Sequence, residues 1–175
     1  MVTNVARPRT RAGAAALAAA MTFGLLAGTS ATAPTASALT MQSGREDALT
    51  WQARYNKRLL WLINNVRERH GVSRLPRTEC ATNYAKGWSS YLTRTDKFEH
   101  SNLGRLLDTC HASYANENLA KIYDGARPID LVRAWMASPG HRSNILTSKP
   151  SRAGVSIRWD DNLHAWVAVT NFVRK

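Results

Sequence analysis

Two histidines and one carboxylate, His100, His141 and Glu117, stand in three separate segments, each beside residues that shape or bond the backbone. His100 lies in Phe98-Glu99-His100-Ser101, Glu117 is followed by Asn118, and His141 sits within Ser138-Pro139-Gly140-His141-Arg142-Ser143-Asn144-Ile145-Leu146. Pro139-Gly140 is a strong turn signal, so the backbone is expected to bend where His141 is presented. Neutral imidazole and carboxylate groups suit a borderline divalent ion, and three protein ligands with an open fourth position describe a zinc site able to bind water or substrate. Zinc is therefore the first metal expected at His100, Glu117 and His141. A metal-free network is the competing reading: the same three side chains hydrogen-bond their segments together, and Ser138 donates to them.

Other chemistries are less well supplied. A serine nucleophile at Ser101 or Ser138 would need a histidine oriented by a carboxylate. The chain has neither a Gly-x-Ser-x-Gly elbow nor a His-Glu-x-x-His helix. A glycosidase pair of Glu99 and Glu117 depends on a separation that sequence does not define, and Glu99 reads as a solvated neighbour of His100. Arg142 and Asn144 flank a tight turn, where side chains usually bond backbone groups, so both are assigned a scaffold role. His70, His111 and His164 have no motif reason to join the site. Trp88 and Trp135 fall on apolar helical faces and read as core or rim.

The elements that must position these residues follow from periodicity. Leu59, Leu62, Ile63 and Val66 recur at helical spacing before His70-Gly71, predicting a helix from about Asp47 to Arg69. Thr78 is a candidate N-cap for a second helix, with Ala81, Tyr84, Ala85, Trp88 and Leu92 as its apolar stripe, ending before Phe98. One short helical turn is expected at Leu103 to Leu107 and a short strand at Leu119 to Tyr123. Pro128 opens a helix whose buried face is Leu131, Val132, Trp135 and Met136, and Pro139 stops it. Ala153, Val155 and Ile157, then Ala165, Val167 and Val169, alternate about the turn Asp160-Asp161-Asn162 and predict an antiparallel hairpin. Helices before strands indicate an α+β architecture.

Arg7, Arg9 and Arg11 precede an uncharged run from Ala12 to Gly28, and Ala36-Ser37-Ala38 has the small residues of a cleavage site. Residues 1–38 are read as a signal peptide, 39–50 as a flexible mature terminus and 51–175 as the folded domain. The apolar run is short for a membrane anchor, so no stable span is expected after processing. Removing 38 of the 175 residues leaves 137, enough for one domain. The removed segment takes three of 24 basic residues and none of 12 acidic ones, so the formal charge falls from +12 to +9. Basic residues are dispersed along the chain, which argues against nucleic acid and for anionic cell-envelope polymers or lipid headgroups. Cys80 and Cys110 lie in the exported part, where an oxidising exterior favours a disulfide; its loop would hold His100.

In order, Leu62-Ile63-Asn64-Asn65-Val66-Arg67 with His70-Gly71, Phe98-Glu99-His100-Ser101, Glu117-Asn118-Leu119-Ala120, and Trp135-Met136-Ala137-Ser138-Pro139-Gly140-His141-Arg142-Ser143-Asn144-Ile145-Leu146 resemble the CAP superfamily. This is the SCP-domain family of cysteine-rich secretory proteins, antigen 5 and pathogenesis-related proteins. The resemblance covers nearly all of the expected mature chain. It implies an α-β-α sandwich with a small antiparallel sheet between helical layers, in a secreted protein of the bacterial branch. It also implies a central cavity with two histidines and two glutamates. His100, Glu117 and His141 match three of them, and Ser138 stands where the second glutamate falls. Trp135, Asn118, Arg142 and Asn144 belong to its structural motifs, and Asn116 replaces a frequent glycine.

The missing carboxylate weighs against chemistry that needs a pair. The expected function is a monomeric, exported, non-enzymatic module binding a lipid, sterol or cell-envelope component. The alternative is a metal-assisted hydrolase acting on peptide or peptidoglycan.

Overall fold

The computed structural model describes residues 50–123 and 125–175 in full, with the backbone of Asn4–Val5 and of residues 36–49. Apart from those backbone segments, the expected signal peptide at 1–38 lies outside the described residues. Helix α1 spans Ala36–Arg69, so it begins earlier than Asp47, and the segment read as a flexible terminus forms its first turns. That stretch lacks apolar periodicity but holds good helix formers such as alanine, leucine and methionine. At its other end α1 closes on Gly71 at φ +71°. The Val72 N–H reaches Arg67 O at 2.9 Å and the Gly71 N–H reaches Glu68 O at 3.0 Å, the paired bonds of a glycine-terminated helix.

Helix α2 spans Glu79–Thr95 and α3 spans Leu103–Cys110, longer than the single turn expected. Asn102 caps α3 by accepting from the Arg105 N–H at 3.0 Å. Thr78 holds the N-cap position of α2 but makes no side-chain cap; its N–H instead donates to Ala153 O at 2.9 Å. Strand β2, Tyr114–Tyr123, starts five residues before the expected one. Helix α4, Pro128–Ala137, is followed after Ser138 by α5, Pro139–Leu146. The chain does bend at Ser138, but Pro139 and Gly140 begin a helix and do not form a turn. Proline at N1 suits this start because its missing N–H has no helical partner there.

Strands β3, Arg152–Asp160, and β4, Ala165–Arg174, form the predicted hairpin. The Asp160 carboxylate accepts the N–H groups of Asn162 and Leu163, both at 3.1 Å, closing its turn. The sheet order is β1-β2-β4-β3, with β1 (Asn4–Val5) adding a two-residue parallel pairing to three antiparallel strands.

Strand alternation sorts the two faces. Ala120, Ile122, Ala153, Val155, Ile157, Ala168 and Phe172 pack with Leu59, Ile63, Leu131, Trp135 and Ile145 of α1, α4 and α5. Leu119, Val167 and Val169 pack beneath Ala85 and Leu92 of α2. Each large apolar side chain so buried contributes about 1.5–3 kcal/mol. Gly154 and Ser156 let α2 approach the second face. A Cβ on Gly154 would lie 2.2 Å from Ala81 C and Thr82 N, and Ser156 Oγ meets Ser89 Oγ at 3.1 Å. The result is the expected α+β sandwich, with a sheet between helical layers.

Candidate functional site

The N-terminal half of β2 is polar because it carries the site. Glu117 pairs in register with Asn171 and faces the α2 side, whose Ala81 O accepts from Asn171 Nδ2 at 3.5 Å. Its side chain is 1% exposed, against 49% for His100. The His100 ring donates from Nδ1 to Glu117 Oε1 at 2.7 Å, since an ionised carboxylate only accepts. The Ser101 N–H donates to the same oxygen at 3.1 Å. Glu117 Oε2, which is buried, has no hydrogen-bond partner among the described protein groups. A buried carboxylate oxygen is costly to leave so, and Asp160 Oδ2 is another such oxygen among the described residues.

The opposite face of β2 anchors the second histidine. Asn118 is fully buried and donates from Nδ2 to His141 O at 3.1 Å. Asn144 donates to Glu117 O and to Asn118 Oδ1, each at 3.0 Å. The scaffold role expected of Asn144 and Asn118 is therefore what they perform: they lock α5 to β2. Ser138 Oγ and His141 Nδ1 are 3.0 Å apart, so Ser138 meets the histidine. Burial holds the His141 imidazole below its ordinary pKa, and the nearby His100 pushes it the same way.

Among the described residues no group of three or more His, Cys, Asp or Glu side chains is placed to hold a metal ion. Glu117 Oε1 accepts from His100 Nδ1, which is what an outer carboxylate does for a metal-bound imidazole and leaves Nε2 open. The described hydrogen bonds form two pairs, His100 with Glu117 and His141 with Ser138.

Elsewhere the expected assignments divide. Cys80 and Cys110 form a disulfide across 30 residues, enclosing His100. Trp135 is fully buried in the core. Arg142 is exposed, and its N–H bonds Ser138 O at 2.8 Å within α5. Glu99 is exposed beside Lys97, with 3.8 Å between their charged atoms. His70 bonds Val66 O at 2.9 Å, while His111 and His164 occupy left-handed backbone at φ 48° and 45°; none of the three joins the site. Sequence reasoning missed Ser101 as a Glu117 donor, although it adjoins His100. It also missed Arg67, only 1% exposed, which donates to Ser73 O, Ile145 O and Thr147 O at 2.5–2.8 Å. Arg67 ties the end of α1 to the end of α5, and burial lowers its pKa.

Residues 60–172 match the model of the cysteine-rich secretory protein family, CAP. The chain is 32% identical over 108 residues to the uncharacterized protein YkwD of Bacillus subtilis (strain 168), covering 58% of this chain and 41% of that one. It is 29% identical over 114 residues to the uncharacterized membrane protein YlbC of the same organism, covering 61% and 32%. The chain thus spans less than half the length of these curated relatives. Among solved structures, an extracellular SCP-domain protein of Bacillus anthracis superposes with a TM-score of 0.61 at 24% identity, covering 71% of this chain and 41% of that one. An outer surface protein of Borrelia burgdorferi superposes with a TM-score of 0.59 at 19% identity, covering 68% and 91%.

Proposed function

Because the chain belongs to the cysteine-rich secretory protein (CAP) family, we propose that it is an exported, non-enzymatic binding module for a lipid, sterol or other cell-envelope component. Its guest presents a hydrogen-bond donor to the Glu117 network. The observation that carries this reading is the buried Glu117 carboxylate: one oxygen is committed to His100 and Ser101, and the other is buried without a partner among the described residues. A hydroxyl or amide donor would satisfy that oxygen, and charge-assisted hydrogen bonds of this kind are the strong ones.

Three further observations support binding over hydrolysis. Ser138 occupies the position of the family's second glutamate, so a carboxylate pair is not at hand. Glu117 orients His100, whereas His141 meets Ser138, so the serine, histidine and acid do not line up as a relay. The formal charge, +12 for the full chain and +9 after the expected processing, favours anionic envelope surfaces. Export is supported by the arginine, apolar and small-residue order of residues 1–38, and by structural neighbours that are themselves an extracellular and an outer surface protein. No helix among the described residues is long and apolar enough to cross a membrane.

The test is a titration of the purified protein with three probes, monitored by nuclear magnetic resonance: phosphatidylglycerol vesicles, cholesterol in detergent, and soluble muropeptides. At least one probe is expected to shift His100 and Ser101, and Glu117→Gln should weaken that probe. Cleavage of the muropeptides by the native protein, abolished in Glu117→Gln, would establish the hydrolase instead.

A further inference from the structure

We propose that the groove between α2 and α3 is a second binding site, whose ligand is a glycan bearing carboxylate groups. The groove encloses about 660 Å³. Asn83, Tyr84, Gly87, Trp88 and Tyr91 line it from α2, and Arg105 lines it from α3. The rings of Trp88 and Tyr91 stack on one another, 4.8 Å apart at 23°, and are part-exposed, with Lys97 Nζ 5.8 Å from the Tyr91 ring centre, so a ligand meets the outer face and edges of the pair. Pyranose rings present a C–H face that packs on such aromatic surfaces, while their hydroxyls need the polar groups that amides provide.

The platform is held in place. Trp88 Nε1 donates to Glu99 O at 3.1 Å and Tyr84 Oη donates to Asn102 O at 2.8 Å, so both side chains are fixed from the far wall. The Cys80–Cys110 disulfide joins α2 directly to α3 and sets the width of the groove. A preorganised site loses less entropy when it binds.

Gly87 is the residue that packing does not explain. It lies inside α2, where glycine is less stable than alanine, and a Cβ there would meet nothing within 4 Å. Its backbone is not in the left-handed region that would require glycine. What glycine does at this position is leave the groove floor open between Asn83 and Tyr91, one helical turn to either side. Among the described lining residues, Arg105 is the one charged side chain, and it is exposed. Guanidinium matches carboxylate in shape and charge, so the ligand is an acidic glycan and not a neutral one. This inference rests on the binding-module reading only in taking its ligand from the envelope; its residues adjoin that site, since Trp88 and Tyr84 bond Glu99 O and Asn102 O on either side of His100 and Ser101, and Gly87 and Arg105 are the positions that tell the two sites apart.

Two oligosaccharides differing chiefly in charge provide the test: chitotetraose, and a tetrasaccharide alternating N-acetylglucosamine with N-acetylmuramic acid. Each is titrated into the native protein, Gly87→Gln, Arg105→Gln and Glu117→Gln by calorimetry and nuclear magnetic resonance. The muramic acid compound should bind the native protein at least about tenfold more tightly and shift Trp88 and Tyr91. Gly87→Gln should fold with an unchanged or higher Tm and lose at least about tenfold in affinity. Arg105→Gln should reduce the muramic acid compound to the affinity of chitotetraose. Loss of binding in Gly87→Gln supports the groove whatever Glu117→Gln does. Loss in Glu117→Gln with Gly87→Gln unaffected would overturn the groove while sustaining the Glu117 reading. Equal affinity for the two compounds, no binding at millimolar concentration, or self-association that covers Trp88 and Tyr91 would overturn it as well.

Discussion

Replacing both cysteines by alanine should cost more stability than any surface change, and should loosen the site with it. The Cys80–Cys110 bridge closes a 30-residue span, for which the chain-entropy relation gives about 3 to 4 kcal/mol. Cys110 is only 1% exposed and packs with Ala81, Leu106 and Val173; losing its sulfur there adds about 1 kcal/mol of packing. A total of about 4 to 5 kcal/mol in a domain of this size lowers Tm by about 10 to 20 °C. The span contains His100 and Ser101, so the Ser101 N–H that donates to Glu117 should also exchange faster with deuterium. Thermal unfolding of the oxidised protein and the double alanine variant, with hydrogen exchange on both, checks each part. A Tm change under about 3 °C, or two alkylatable thiols in the native protein, would refute the reasoning.

Gly154→Ala drives a methyl to 2.2 Å from the α2 backbone at Ala81 and Thr82, so it should destabilise by about 3 kcal/mol or more; a denaturant midpoint within error of the native one would contradict the packing. The depressed pKa of His141 means the unfolded chain takes up a proton before the folded one does. Its contribution is therefore fully present above about pH 6.5 and is lost as pH falls through the lower folded value. Replacing His141 with glutamine should flatten that acid-side decline in denaturation midpoints, and an unaltered decline would count against it. Zinc should bind with at most moderate affinity, because Ser138 stands where a second carboxylate ligand would be. Tight calorimetric binding lost in both His100→Ala and His141→Ala would contradict it.

The helical core was legible because its signals are local. Leu59, Leu62, Ile63 and Val66 repeat at helical spacing, and Gly71 ends the helix where only a residue at ease with positive φ serves well. The hairpin was legible from alternation at Val155, Ile157, Val167 and Val169. The first half of β2 was not. Tyr114 to Asn118 are mostly polar and do not alternate, and their strand character comes from pairing with residues 170–174, which are distant in sequence. Pro139-Gly140 read as a turn because two breakers adjoin, yet proline at N1 starts α5. At the site, the residue types of His100, Glu117 and His141 pointed to one location, but which nitrogen meets which oxygen is tertiary information. Sequence could not show that Glu117 spends an oxygen on His100 Nδ1, a contact that only the fold brings about.

The most direct test is the isosteric change Glu117→Gln, read as a Kd for whichever of phosphatidylglycerol vesicles, cholesterol and muropeptides shifts His100. It removes the charge from a side chain that is 1% exposed and keeps its shape. The variant should stay folded and its Kd should rise at least about tenfold, equivalent to about 1.4 kcal/mol. An unchanged Kd would contradict the claim that the buried carboxylate is where the guest is held.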